Sequence, residues 1–179
     1  NGLYTLLVRE ADATRARVVG SIVAGHAPAA LLARLADPAI RIVTLTVTEK
    51  AYGIDPATGG LDESHPDIAA DLKTPESPRS AVGLLVEGLA RRRAAGIAPF
   101  TPLSCDNLPS NGALLKRLVL EFSARRNGDL VRWIGDNVPF PSTMVDRITP
   151  ATTDITYADA ARLTGRQDLA AVEAEPFAQ

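Results

Sequence analysis

Three short polar segments of the 179-residue chain carry the side chains best suited to chemistry. The first is Pro102-Leu103-Ser104-Cys105-Asp106-Asn107-Leu108-Pro109-Ser110-Asn111-Gly112, where polar groups follow an apolar run and precede a helix-forming stretch. An asparagine amide placed there, at Asn107, can donate a hydrogen bond to a substrate oxygen that becomes negative. It can equally brace its own loop, with Ser110 or Asn111 capping the helix. The second segment is Thr48-Glu49-Lys50. Glu49 is either a catalytic or substrate-gripping carboxylate, or the partner of Lys50. The third is Met144-Val145-Asp146-Arg147-Ile148-Thr149-Pro150, where Asp146 and Arg147 either face a ligand or pair with each other.

Other chemistries find less support. Ser104 lacks a nucleophile-elbow context, and neither His26 nor His65 has a motif partner. Cys105 follows an apolar run, where a buried structural thiol is the expected reading over a nucleophile. One cysteine allows no internal disulfide, and with two histidines far apart no metal site is expected. No G-x-G-x-x-G follows a strand. Gly20-Ser21-Ile22-Val23-Ala24-Gly25 has the wrong spacing, Gly83 and Gly88 fall inside a helix, and no Walker-type loop occurs.

The elements that must position these groups are legible in outline. Residues 3–8 and 17–23 are strand-forming runs that could pair as a hairpin. A short helix is expected over 28–35, with proline in its first turn. Residues 40–48 form the strongest strand, with few charges inside it, as suits a strand covered on both faces. A turn-rich excursion around Gly59-Gly60, with a small hairpin, and a helical turn or two over 66–72 come next. Val82, Leu85, Val86 and Leu89 predict a helix over 78–95, capped by Ser77 and stopped by Gly96. Arg91, Arg92 and Arg93 fall in its last turns, where free carbonyls favour cations. A strand over 100–105 leads to helices over 112–126 and 130–138. A strand over 144–148, a helix over 157–163 and a last strand over 170–175 complete the reading. This alternation indicates an α/β fold with a largely parallel sheet flanked by helices. Ligands of such sheets bind beyond the carboxyl ends of the strands. That is where Glu49, Asn107 and Asp146 fall.

Composition narrows the class. The 19 Lys+Arg and 21 Asp+Glu give a net charge of −2, and no basic block exceeds Arg91-Arg92-Arg93, which argues against a nucleic-acid partner. No uncharged apolar stretch is long enough to span a membrane. With one cysteine and no signal-peptide pattern, a reducing cytoplasm is the expected compartment.

Thr44–Tyr52, Pro99–Pro109 and Phe140–Pro150, in this order and spacing, closely resemble the polyol-specific long-chain dehydrogenase/reductase family, of mannitol 2-dehydrogenase and fructuronate reductase type. Gly2-Leu3-Tyr4-Thr5-Leu6, Gly59-Gly60-Leu61-Asp62, His65-Pro66 and Glu175-Pro176-Phe177 fit the same pattern, so the resemblance spans the chain. It implies a Rossmann-type N-terminal domain, a helical C-terminal domain, and zinc-independent oxidation of a secondary alcohol with NAD, NADP remaining open. It places Asn107 on an asparagine that polarises the substrate oxygen beside the nicotinamide. A second asparagine and a lysine base belong to the helical domain. Glu49 and Asp146 fall on substrate-lining positions, and Val145 lines the nicotinamide pocket. Lys50 belongs to a different motif from that lysine, and Lys50-Ala51 stands where glycine is common in the family.

The family's first strand and glycine-bearing loop would precede Asn1, and its helical domain would follow Gln179. Residues 1–179 are therefore read as the central and C-terminal part of the Rossmann-type domain, inactive alone. The implied substrate is a sugar alcohol interconverted with a ketose. A fructuronate/mannonate substrate is the alternative within the family, and a non-enzymatic α/β ligand-binding or scaffold module the alternative outside it. A sheet lacking its first strand has an open edge, so strand-mediated dimers are expected.

Overall fold

The computed structural model describes residues 2–26, 28–145 and 147–176. In chain order the elements begin with β1 Tyr4–Arg9, β2 Thr14–Val19, α1 Pro28–Leu35 and β3 Ile42–Leu45. A short 3-10 helix, Glu49–Tyr52, leads to α2 Pro66–Lys73, α3 Ala81–Ala94 and β4 Thr101–Ser104. Then come α4 Asn111–Arg126, α5 Gly128–Asn137, α6 Asp154–Thr164 and β5 Val172–Ala174. The chain divides into two units: Asn1–His26 with Val145–Gln179, and Ala27–Met144.

In the first unit β1 and β2 pair antiparallel, from Tyr4 opposite Val19 to Arg9 opposite Thr14. The expected hairpin forms, but its second strand starts three residues earlier than the apolar run suggests. A tight turn, with Glu10 N–H donating to Ala13 O at 2.8 Å, sets that register. β5 pairs with β1 in parallel, Leu6 opposite Val172. Alternation along β1 turns Leu7 inward onto Ala160 of α6 and Ala171, with Tyr157 beside them. The Arg9 guanidinium lies 2.5 Å from Asp159 of α6 and 2.8 Å from Glu173 of β5, joining three elements. α6 starts on a capping box formed by Thr153 and Thr156.

No strand forms over 144–148 among the described residues. Ile148 is exposed, and its N–H donates to the Glu175 carboxylate at 2.8 Å rather than to a sheet neighbour. Its carbonyl accepts from Glu175 N–H at 3.3 Å, just past the end of β5, and that bond does not extend into a ladder.

The second unit is built around α3, of which Val82, Leu85, Val86 and Leu89 are buried. α1, α2 and α4 pack against it. At Gly88 α1 packs closely: a Cβ there would lie 2.9 Å from Leu35 Cβ. α3 begins at Ala81 with Ser80 as its cap, three residues after the Ser77 that the sequence suggests. The buried Asp71 carboxylate accepts from Arg79 N, Ser80 N and Ser80 Oγ at 2.8, 2.9 and 2.6 Å. That grip pins Ser80 where its Oγ accepts from Gly83 N at 2.9 Å. Such a cap contributes about 1 kcal/mol.

β3 and β4 pair in parallel, Ile42 opposite Thr101 through Leu45 opposite Ser104. β3 is not covered on both faces. Val43 and Leu45 turn toward the core, whereas Ile42 and Thr44 are exposed. The turn-rich excursion closes on a single antiparallel bridge, Ile54 with Leu61.

The three arginines ending α3 do not share one role. Arg91 pairs with Glu87 at 2.5 Å. Arg92 is buried and folds back onto four backbone carbonyls: Leu35 at 2.6, Asp37 at 2.5, Ile40 at 2.6 and Ala98 at 2.8 Å. Its guanidinium also sits 5.1 Å from the Phe100 ring centroid. One side chain therefore joins the end of α1, the turn into β3 and the turn into β4. Arg92→Leu would leave all four carbonyls without that donor, and we expect a loss of about 3–5 kcal/mol in chemical denaturation. Arg92→Lys should recover only part, because an ammonium lacks the planar fork. A loss under about 1 kcal/mol for Arg92→Leu would show that the carbonyls find water.

Candidate functional site

β3 and β4 run in the same direction, so the segments leaving their carboxyl ends share one edge of the sheet. The first bond beyond the ladder, Cys105 N–H to Leu45 O at 2.8 Å, fixes where the second segment departs. From β3 the chain enters the 3-10 helix Glu49–Tyr52. Glu49, Lys50 and Ala51 are exposed, while Tyr52 is buried.

The Tyr52 hydroxyl lies 2.9 Å from Ser104 Oγ and donates to Asp106 Oδ2 at 2.5 Å. The other Asp106 oxygen accepts from Leu108 N–H at 3.1 Å and from the Asn111 amide at 2.9 Å. Asn111, at the start of α4, faces inward and is almost fully buried. Its amide also reaches Thr143 O at 3.1 Å, and its Oδ1 accepts from Thr143 N–H at 3.0 Å. The Thr143 hydroxyl closes the ring by donating to Ser104 O. Asp106 and Asn111 together thus join the segments after β3, after β4 and before Val145.

Local backbone makes room for this. Gly112 lies beneath the 140–142 loop, where a Cβ would fall 2.5 Å from Phe140 O. Ser110 stands at the helix N-cap with φ +51° and no side-chain cap bond. Asn111 is committed to Asp106 and Thr143. The expected capping by Ser110 or Asn111 is therefore replaced by a turn with a left-handed residue, a conformation costing about 1 kcal/mol or more.

Two charge states follow. Burial pushes the Tyr52 phenol up to about 12, and its bond to Asp106 adds to the rise while Ser104 opposes it. Burial also pushes the Asp106 carboxyl up, but hydrogen bonds from Tyr52, Asn111 and Leu108 outweigh it and hold the group below its usual value. The site therefore pairs a neutral phenol with an ionised carboxylate across the neutral pH range.

Asn107 is exposed between Asp106 and Leu108, on the turn closed by the Leu108–Asp106 bond. Glu49 is exposed on the other segment of the same edge. Val145 is exposed and belongs to the other unit, and Asp146 lies outside the described residues. Cys105 is half-buried, with its Sγ 3.8 Å from Leu103 O. Ser104 is engaged by Tyr52. Among the described residues no group of three His, Cys, Asp or Glu is placed to hold a metal ion, and no helix is long and apolar enough to cross a membrane. The sequence does not single out Tyr52, Asp106 or Thr143 as functional groups, and offers Asn111 only as an alternative to Ser110 for the helix cap. Asp106 and Asn111 lie in the polar run directly after β4, whereas Tyr52 and Thr143 are marked only by falling within the resemblance motifs Thr44–Tyr52 and Phe140–Pro150.

The network sets a pH window. The neutral phenol is favoured in the folded state, so its contribution is present in full below about pH 10 and is lost as pH rises to about 12. For Asp106 the sign reverses: stability is present above the usual carboxylate pKa and lost as pH falls through the lowered folded value. We expect a tyrosinate absorbance step near pH 12 that is missing in Tyr52→Phe. Identical alkaline titrations of the two proteins would contradict the geometry.

A family model described as the mannitol dehydrogenase Rossmann domain matches residues 1–179. An uncharacterized oxidoreductase, YeiQ, of Escherichia coli is 47% identical over 184 residues, covering 100% of this chain and 38% of the relative. The D-mannonate oxidoreductase of Escherichia coli is 42% identical, covering 99% of this chain and 37% of the relative. The Pseudomonas fluorescens mannitol 2-dehydrogenase, solved as a ternary complex with NAD and D-mannitol, matches with a TM-score of 0.92 and 43% identity, over 99% of this chain and 37% of that one. The chain thus spans under two fifths of the length of these relatives. The architecture is a Rossmann domain whose strands are mixed rather than wholly parallel, with β2 the antiparallel member.

Proposed function

We propose that this chain, which belongs to the mannitol dehydrogenase Rossmann-domain family, is part of the nicotinamide-binding domain of an oxidoreductase that interconverts a sugar alcohol and a ketose by hydride transfer. The observation that carries this reading is the exposed Asn107 amide, set at the carboxyl edge of a parallel strand pair on a turn closed by Asp106. The match to a mannitol 2-dehydrogenase bound to NAD and D-mannitol supports it.

The residues present fit the nicotinamide end of the cofactor. Asn107 offers a neutral amide where ligands of such sheets bind. A glycine-bearing phosphate loop does not occur in the 179 residues, so nothing in this chain is assigned to the pyrophosphate. When bound, NAD supplies the acceptor for the hydride leaving the carbinol carbon. Asn107 donates its amide N–H to the substrate oxygen, which gains negative charge as its proton leaves. Glu49 accepts a hydrogen bond from a neighbouring hydroxyl, and the family resemblance implies a substrate-lining role for Asp146 and a nicotinamide-lining role for Val145. The proton goes to a base outside these residues, for which the family resemblance supplies a lysine in a helical domain. A hexonate substrate is the second reading, favoured by the 42% identity to D-mannonate oxidoreductase.

In the full-length protein, Asn107→Ala should lower kcat for NAD-linked polyol oxidation by about 100- to 1000-fold, as loss of one oxyanion donor does. NADH absorbance across D-mannitol, D-sorbitol and D-mannonate would check this. Failure of every polyol and sugar acid to reduce NAD or NADP would sink the reading. Strand-mediated dimers of the chain belong to the same reading, because β3 hydrogen-bonds only to β4 among the described strands. Light scattering should then show concentration-dependent association, and a monodisperse monomer would count against it.

A further inference from the structure

We propose that Tyr52 is a positioning residue for Asn107: its buried hydroxyl, held between Ser104 and Asp106, fixes the turn that presents the Asn107 amide and ties the Glu49 segment to it. The inference rests on reading Asn107 as the group that meets the substrate oxygen.

Tyr52 is 1% exposed at the end of a 3-10 helix whose other three residues are exposed. Its ring anchors that helix in the hydrophobic core, whose members include Leu61 and Ile68. The hydroxyl adds little to such packing, yet it makes a 2.5 Å bond to Asp106. Asp106 is the residue before Asn107. Each of its carboxylate oxygens is held from a different element: Oδ2 by Tyr52, and Oδ1 by Leu108 N–H and the Asn111 amide. Held from one side only, the carboxylate could rotate about its side-chain bonds and the 106–108 turn could follow. Held from both sides, it cannot, and the backbone that carries Asn107 is fixed. A misplacement of about 1 Å at a hydrogen-bond donor can cost on the order of 100-fold in rate.

The hydroxyl is poorly suited to a direct part in proton transfer. Its pKa of about 12 keeps the phenol neutral, and both of its hydrogen-bond partners lie in the β4–α4 segment. An apolar ring at this position would fill the same space, but it would leave Asp106 Oδ2 seeking another donor. A purely structural role would lower stability and active fraction whatever stands at position 107. A positioning role acts through Asn107 and requires it.

The test is a double-mutant cycle in the full-length enzyme, with NADH formation from the best polyol or sugar acid as the readout. Tyr52→Phe should lower kcat by about 10-fold or more while leaving KM for NAD within about two-fold. In an Asn107→Ala background the same change should have no further effect on kcat, because the group it positions is gone. Asp106→Leu, of similar size but without the oxygens that Tyr52, Leu108 and Asn111 hold, should show the same dependence on Asn107. It decides the matter alone if Tyr52→Phe does not fold. Equal losses in both backgrounds, or a kcat within about two-fold of wild type, would overturn the positioning role while leaving the functional reading intact. A wild-type enzyme with no NAD-linked turnover of polyols or sugar acids would overturn the functional reading, and the positioning role with it.

Discussion

A half-buried carboxylate must find donors for its lone pairs or give up its charge, and Asp106 finds three. Tyr52 comes from the segment after β3, Leu108 from its own turn, and Asn111 from the first turn of α4. Hydrogen bonds to an ionised acceptor are stronger than neutral ones, so each donor is held more firmly than it would be by a carbonyl. Asn111 passes the constraint on to Thr143, and Thr143 returns it to the end of β4 through Ser104 O. Three segments distant in sequence become one rigid edge. The exposed groups on that edge, Glu49 and Asn107, inherit their places from the buried and half-buried residues behind them.

The rest of the second unit keeps that edge in register. Two parallel strands alone are a weak scaffold, because a short pair buries little surface. Here the strands rest on α3 and its neighbours, and Arg92 fastens the turns that enter both of them. Arg92 and Asp106 mirror each other at opposite ends of the pair. One is a buried cation satisfied by carbonyls, the other an anion satisfied by donors. Each pays its desolvation cost through several bonds made in a fixed geometry. Such an arrangement suits the role proposed for Asn107. An amide that stabilises a substrate oxyanion must already be aimed when charge develops, since reorganisation at that moment would consume the stabilisation.

The resemblance to polyol dehydrogenases and the helical periodicities point to the same edge. Val82, Leu85, Val86 and Leu89 mark α3, and the polar runs after residues 45 and 104 mark the ligand side of the sheet. Two expectations fail for one reason. The 144–148 run has strand-like composition, but its backbone bond to Glu175, just past β5, builds no ladder, and Ser77 is a competent cap that Asp71 bypasses in favour of Ser80. In both, the deciding partner is distant in sequence: Glu175 for Ile148, and Asp71 for Ser80.

What the sequence determined by itself is therefore the inventory: α/β alternation, an asparagine at a strand end, no metal-ligand set, and a family pattern running from Gly2 to Phe177. These are properties of residue type and local spacing, and they survive without knowledge of contacts. Only the tertiary structure decided which polar residues hold and which are held. Asn111 reads as one of two possible helix caps and becomes a buried clamp, and Arg92 reads as one of three cations at a helix end and becomes a core tie. Tyr52 reads as the end of a family motif and becomes a donor to the Asp106 carboxylate. A buried polar group is defined by its partner, and each of these partners lies on a different element of the fold.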